Sequence, residues 1–119
     1  MTVQFVKQPA LILAAGQPVK EIREYFGLAN TGTGELSIAR MNSPAGWSEP
    51  GQTPEFNEYS VVLQGTLHLR LRGRELKVSA GQAVMVSAGE WVQYHTPDGA
   101  EYIAVCMPAF SPGTVRRDE

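Results

Sequence analysis

Histidine and cysteine are scarce in this sequence: two of the first and one of the second among 119 residues. A single cysteine, Cys106, cannot close an internal disulfide, and no Cys–Cys pair exists to hold zinc. Its neighbours Ile103, Ala104, Val105 and Met107 are apolar. Cys106 therefore reads as a small buried hydrophobe, not as a nucleophile with a basic partner. Long apolar runs are missing too. The stretch from Ala10 to Ala15 is too short for a membrane span or a signal core, so a soluble, cytoplasmic protein without a membrane partner is expected. Positive charge is in short supply, with 10 Lys and Arg against 12 Asp and Glu and a net charge of -2. Phosphate backbones want a basic surface, so nucleic acid is excluded as an expected partner. The clusters Arg70, Arg72, Arg74 and Arg116, Arg117 read as a solvated strand face and a loose tail.

What the sequence has in quantity is punctuation. Twelve glycines and 8 prolines recur between short apolar runs, the rhythm of many short strands. The clearest is Thr66 to Arg72, where Leu67, Leu69 and Leu71 alternate with Thr66, His68, Arg70 and Arg72. Gly73 turns the chain and Leu76 and Val78 continue the alternation, which predicts a hairpin. Ala83 to Val86, Trp91 to Thr96 and Glu101 to Met107 follow as strands, with a turn at Pro97–Asp98–Gly99. Short connections predict antiparallel neighbours throughout this half. In the first third, residues 10–13 read as a strand. Lys20 to Leu28 is ambiguous, since Ile22, Tyr25 and Phe26 have helical spacing, but a strand suits the rest. Asn30–Thr31–Gly32 reads as a turn before an extended Leu36 to Ala39. One all-β domain results: N-terminal strands over 1–34, a barrel core over 35–108 and a tail over 109–119. Sheets of this kind hide their edges by rolling into a barrel, which leaves a cavity at one mouth.

Two segments carry a family pattern. From Gly46 to Gly65 the spacing matches a motif of glycine, five residues, His-x-His, a glutamate and a glycine six residues beyond it. Glu58 and Gly65 fit; the two histidine positions hold Gln52 and Pro54. From Gly81 the second motif keeps Gly81 and Gly89 but has Ser87, Val92 and Thr96 where proline, histidine and asparagine belong. Over residues 36–108 the chain resembles the cupin superfamily, and within it the ethanolamine-utilisation Q-type cupins, which also lack the histidines. The likeness runs through Tyr59 to Arg70 and Tyr102 to Pro108. It implies an antiparallel jelly-roll barrel, the cupin double-stranded β-helix. The acetate kinase activity linked to that group is not carried over, because no Gly-rich phosphate cradle is visible here.

A cupin metal centre needs three imidazoles and one carboxylate. Proline and valine offer no donor atom, and glutamine is a poor ligand for transition metals. No metal and no other cofactor is therefore expected. Alternation around Glu58 turns Gln52, Phe56, Ser60 and Val62 inward, and leaves Tyr59, Val61 and Leu63 outside. Val92 inward carries Tyr94 inward and sends Gln93 and His95 out. The expected site is a small-ligand pocket of Gln52, Phe56, Ser60, Val92 and a rim Arg40. Glu58 is its candidate acid–base group, with a pKa raised by burial, and Tyr94 its helper. Proton transfer, isomerisation or elimination on a small organic acid or amine-derived metabolite is the leading expectation. A non-catalytic binding module comes second and a metal-dependent dioxygenase third. The apolar outer row Tyr59, Val61, Leu63 predicts a homodimer. His68 is given no chemistry, and Trp47 and Trp91 are assigned to a mouth or a dimer seam.

Overall fold

The computed structural model describes residues 2–119. Nine strands form: β1 Ala10–Ala14, β2 Lys20–Phe26, β3 Ser37–Ser43, β4 Trp47–Ser48, β5 Asn57–Leu71, β6 Arg74–Ser79, β7 Ala83–Val86, β8 Val92–Thr96 and β9 Ala100–Met107. The expected strands are all present. β2 adopts the extended form, and its helical spacing has no structural counterpart. Every pairing is antiparallel, in the order β1-β2-β3-β9-β5-β8-β4, with β6 and β7 also bonded to β5. Antiparallel direction was expected of the second half. Pairing between chain neighbours there stops at the β5–β6 hairpin, however. β7 returns to β5, β8 joins β5 and β4, and β9 lies between β3 and β5. Such skipping is how a jelly roll closes two sheets over one core.

The 15 residues of β5 serve both sheets. Its first half bonds β7 and β9, and its second half bonds β6 and β8. The switch falls at a bulge between Val62 and Gln64, followed by Gly65 at φ 73°. Before it the even positions Ser60 and Val62 are buried; after it the odd positions Leu67 and Leu69 are. One extra residue thus inverts the parity and bends the strand across the barrel corner. A Cβ at Gly65 would stand 2.3 Å from the Gly99 carbonyl oxygen, a backbone atom with little freedom to yield. Gly65→Ala combines that clash with a left-handed backbone. It is expected to cost about 2–4 kcal/mol, read as a shift of the urea midpoint.

The main core joins the inner faces of both sheets through Trp47, Val62, Leu67, Leu69, Val92, Tyr94 and Tyr102. A second cluster, Phe56, Cys106 and Val115 with Phe110 against it, closes the other end. Val115 and Phe110 belong to the segment after β9, which is not loose. Thr53 N–H donates to the Arg116 carbonyl, Glu55 N–H to the Thr114 carbonyl and Asp118 N–H to the Gly51 carbonyl. The tail therefore lies along residues 51–55, and burial of Val115 holds it there. Among the described residues no helix is long and apolar enough to cross a membrane.

Candidate functional site

Between the two clusters lies a cavity. It exists because β3 and β9 turn small side chains inward: Ser37, Ala39, Ala104 and Cys106 line it where larger residues would fill it. Around them stand Lys20, Ile22 and Glu24 from β2, Glu49, Gln52 and Phe56 from the loop after β4, Glu58 from β5, and Tyr94 and Tyr102. Arg117, Phe110 and Val115 of the tail, Ile12 and Ala14 of β1 and Met41 of β3 complete the wall. The space open to the centre of a water-sized sphere is about 40 Å³, room for roughly three waters.

Of the residues expected at the site, Glu58, Tyr94, Gln52 and Phe56 line this cavity. Ser60 and Val92 are buried, but they pack into the core and do not reach the cavity wall. Arg40 is misplaced by the sequence reading. Strand alternation puts it on the outer face of β3, where it pairs with Glu101 of β9 at 2.7 Å. His95 sits on the outward side of β8, against His68 with ring centroids 5.1 Å apart. Neighbours cover it to 9% exposure, so it is less open than a surface histidine. Burial, then the charge of Arg70 and of His68, lower its pKa. Trp47 is part of the core. Trp91 donates to Asp118 at 2.9 Å and holds the tail.

The charged groups of β2 and of the following loops escaped the sequence reading. Lys20 is buried, and its ammonium donates to the Tyr102 hydroxyl at 2.8 Å while lying 4.3 Å from the Trp47 ring centroid. Burial acts to lower its pKa, but Tyr102, Glu49 and Glu58 outweigh that and hold it above the usual lysine value. Glu49 is buried with its carboxylate 3.7 Å from Arg117. Burial raises its pKa against the pull of Lys20 and Arg117. Glu24 is a structural acid: it accepts from the N–H groups of Ala29 at 2.8 Å and Asn30 at 3.2 Å and fixes the β2–β3 loop.

Glu58 is half-buried and lines the cavity. Burial pushes its pKa up to about 7, Lys20 draws it down, Glu49 raises it, and a Cys106 hydrogen bond lowers it again. Near neutrality both protonation states are populated, so one group can take a proton and return it. Burial, then the Glu58 charge, drives Cys106 well above the usual thiol range, which keeps it a thiol as its apolar neighbours suggested. Tyr94 is pushed well above its ordinary value, mainly by burial and next by Glu58, and is a hydroxyl donor at any working pH.

The metal positions of the fold can be tested directly. Gln52 and Val92, at two of the motif's ligand positions, exchange two backbone hydrogen bonds of 2.9 Å and so stand side by side. Only Glu58 among the motif's ligand positions offers a strong donor. Among the described residues no group of three His, Cys, Asp or Glu lies close enough to hold an ion. The donor set does not fit a bound metal.

A curled antiparallel sheet around a small internal cavity defines a small jelly-roll domain of the cupin type. The cupin domain family matches residues 39–107, and the chain belongs to it. Over 96 residues the chain is 46% identical to a protein named Endoribonuclease YbeY from Myxococcus xanthus, covering 78% of this chain and 32% of that one. It is 33% identical over 57 residues to Acetate kinase EutQ of Clostridioides difficile, covering 48% of this chain and 36% of that one. The chain thus spans about a third of the curated relatives it matches. A solved structure of Clostridium difficile EutQ superposes with a TM-score of 0.65 at 26% identity, over 76% of this chain and 68% of that one. The polyketide cyclase RemF of Streptomyces resistomycificus shares the fold, with a TM-score of 0.75 at 19% identity over 100% of this chain and 87% of that one.

Proposed function

We propose that this cupin binds a small organic molecule in its barrel cavity without a metal ion and moves a proton on it through Glu58, with Tyr94 as a polar contact. The observation that carries this reading is a half-buried carboxyl on the wall of a small cavity shared with the Lys20 ammonium and the Tyr94 hydroxyl, where burial pushes the carboxyl up to about 7. A base with a pKa close to the working pH combines availability with driving force. The cavity is too small for a nucleotide and the chain carries net negative charge. Neither the ribonuclease nor the kinase named among the relatives is therefore proposed here. Acetate, named for the second relative, is of a size the cavity accepts.

A thermal-shift screen of small acids, carbonyl compounds and amines tests the cavity. The expected result is a ligand whose stabilisation falls at least tenfold in apparent affinity in Glu58→Gln and Tyr94→Phe. Hits that ignore both substitutions refute the assignment. Metal analysis of untagged protein belongs beside it, and one equivalent of iron, manganese or zinc lost in Glu58→Gln defeats the metal-free reading. Turnover of the hit separates an enzyme from a binding module.

The outer sheet face supports a homodimer as part of the same proposal. Tyr59, Val61 and Leu63 are 42%, 47% and 43% exposed, and Met85 beside Tyr59 is 49% exposed. Contiguous apolar surface of this kind is costly to leave in water. Sedimentation at micromolar concentration is expected to give a dimer for the parent and a monomer for Val61→Lys; a monomeric parent removes the proposal.

A further inference from the structure

Lys20 has a feature that structural lysines rarely show. It is 5% exposed, yet the salt bridges among the described residues do not include it. A buried ammonium without a contacting carboxylate is expensive to fold. Its direct contacts are the Tyr102 hydroxyl, itself 3.3 Å from Ser43 Oγ, and the face of Trp47, while the carboxylates of Glu49 and Glu58 act on it from farther off. These account for one N–H and one side of the group. Three N–H donors are available on an ammonium, and Lys20 also lines the cavity. Glu58 lines the same cavity from β5. Nearby, Gln52 Oε1 is buried with no hydrogen-bond partner, so it can receive a donor from whatever occupies the space.

A base and a fixed cation facing one small enclosed space are the requirements for removing a proton from carbon next to a carbonyl. We propose that Lys20 is a second reacting-site residue, seating the carbonyl oxygen of a compact carbonyl compound of roughly three to six non-hydrogen atoms while Glu58 takes the adjacent proton. This rests on the cavity reading above and names its substrate class. The C–H bond breaks and its proton passes to the Glu58 carboxylate. The electron pair forms a carbon–carbon double bond, and the carbonyl π pair moves onto oxygen. Lys20 and the Tyr102 hydroxyl stabilise that oxyanion, placed where charge develops. Return of the proton to the same carbon gives exchange with solvent; where that carbon bears a hydroxyl, return to the former carbonyl carbon, with the hydroxyl proton passing to the oxyanion, gives isomerisation. No oxidant or reductant is consumed. A hydroxyl on the substrate would supply the donor that Gln52 Oε1 lacks.

Deuterium incorporation from D2O into hydroxyacetone, glycolaldehyde, dihydroxyacetone and pyruvate, followed by proton NMR, tests this. The parent is expected to exchange at least one of them above the buffer rate. Glu58→Gln should abolish the exchange, and Lys20→Met should slow it roughly 100-fold, the loss typical of one oxyanion donor. Exchange that needs Glu58 but is unchanged in Lys20→Met overturns the role of Lys20 and leaves the Glu58 base standing. A parent that exchanges none of the four overturns the carbonyl assignment, while the thermal-shift screen judges the cavity separately. If Lys20→Met fails to fold, Tyr102→Phe decides: about a tenfold slowing supports the oxyanion seat and an unchanged rate refutes it.

Discussion

Glu58→Gln is expected to raise the stability of the protein at pH 8.5 and leave it nearly unaltered at pH 4. The sign follows from linkage. Glu58 titrates near 4.5 in the unfolded chain and at about 7 in the fold, so the native state holds its proton more tightly. That preference is fully favourable below the unfolded value and is lost as pH rises through the folded one. Above about pH 7 the fold must keep a half-buried carboxylate that water would solvate better, at a cost of up to about 3 kcal/mol. A glutamine of the same shape avoids this. The parent should therefore lose stability between pH 4.5 and 7.5, beyond what its surface charges cause. The variant should lose roughly 3 kcal/mol less across that window. Urea denaturation at half-unit intervals measures the difference. Parallel curves for the two proteins mean that Glu58 faces bulk water, and the acid–base reading falls with them. Lys20, Glu49, Cys106, Tyr94 and Arg117 all face the same cavity, so the shift is read as a parent-minus-variant difference and not from the parent alone.

That one carboxylate was legible, though not from its neighbours alone. Glu58 shares its parity with Phe56 and Val62, but Ser60 lies in the same row and Tyr59, Val61 and Leu63 make the opposite row apolar too, so the family motif rather than alternation pointed Glu58 inward. The barrel itself was legible from glycine spacing and from period two. What stayed hidden has physical causes. β5 reads as two strands because its bulge inverts the parity at Gly65, and hydrophobic alternation has no way to mark a continuous strand through such a switch. β2 sends Lys20, Ile22 and Glu24 inward and Glu21, Arg23 and Tyr25 outward. Neither row looks like a core face, so the pattern of a strand that lines a polar cavity resembles noise. Lys20 was missed because it is a charge at an inward position where a strand pattern leads one to expect an apolar residue. Arg40 was the opposite error. Its neighbours Ile38 and Ala39 gave no parity against which to test it, and Glu101, its partner, lies 61 residues away.

The tail shows the same limit, and deleting residues 110–119 is the second change with a large expected effect. Gly, Pro, Arg and Asp give this segment the composition of a loose end, yet Val115 is 2% exposed and its burial is worth roughly 1.5–3 kcal/mol. Phe110 meets Phe56 edge to face at a centroid distance of 6.0 Å, which contributes about 1 kcal/mol more. The latch is shaped on both sides: Gly51 has Trp91 and Asp118 packed so closely that a Cβ there would stand 2.4 Å from the indole. Truncation is expected to cost about 3–5 kcal/mol in urea. It should also open the cavity floor, since Phe110, Val115 and Arg117 are its wall. Water then reaches Glu58, its pKa falls toward 4.5, and the pH-dependent difference between parent and Glu58→Gln shrinks in the truncated background. If truncation abolishes folding, Val115→Ala carries the test, with a loss of about 1–2 kcal/mol and a smaller relaxation of the same pH dependence. A truncated protein as stable as the parent, with Glu58 still titrating near 7, would mean that the tail neither braces the barrel nor seals its site.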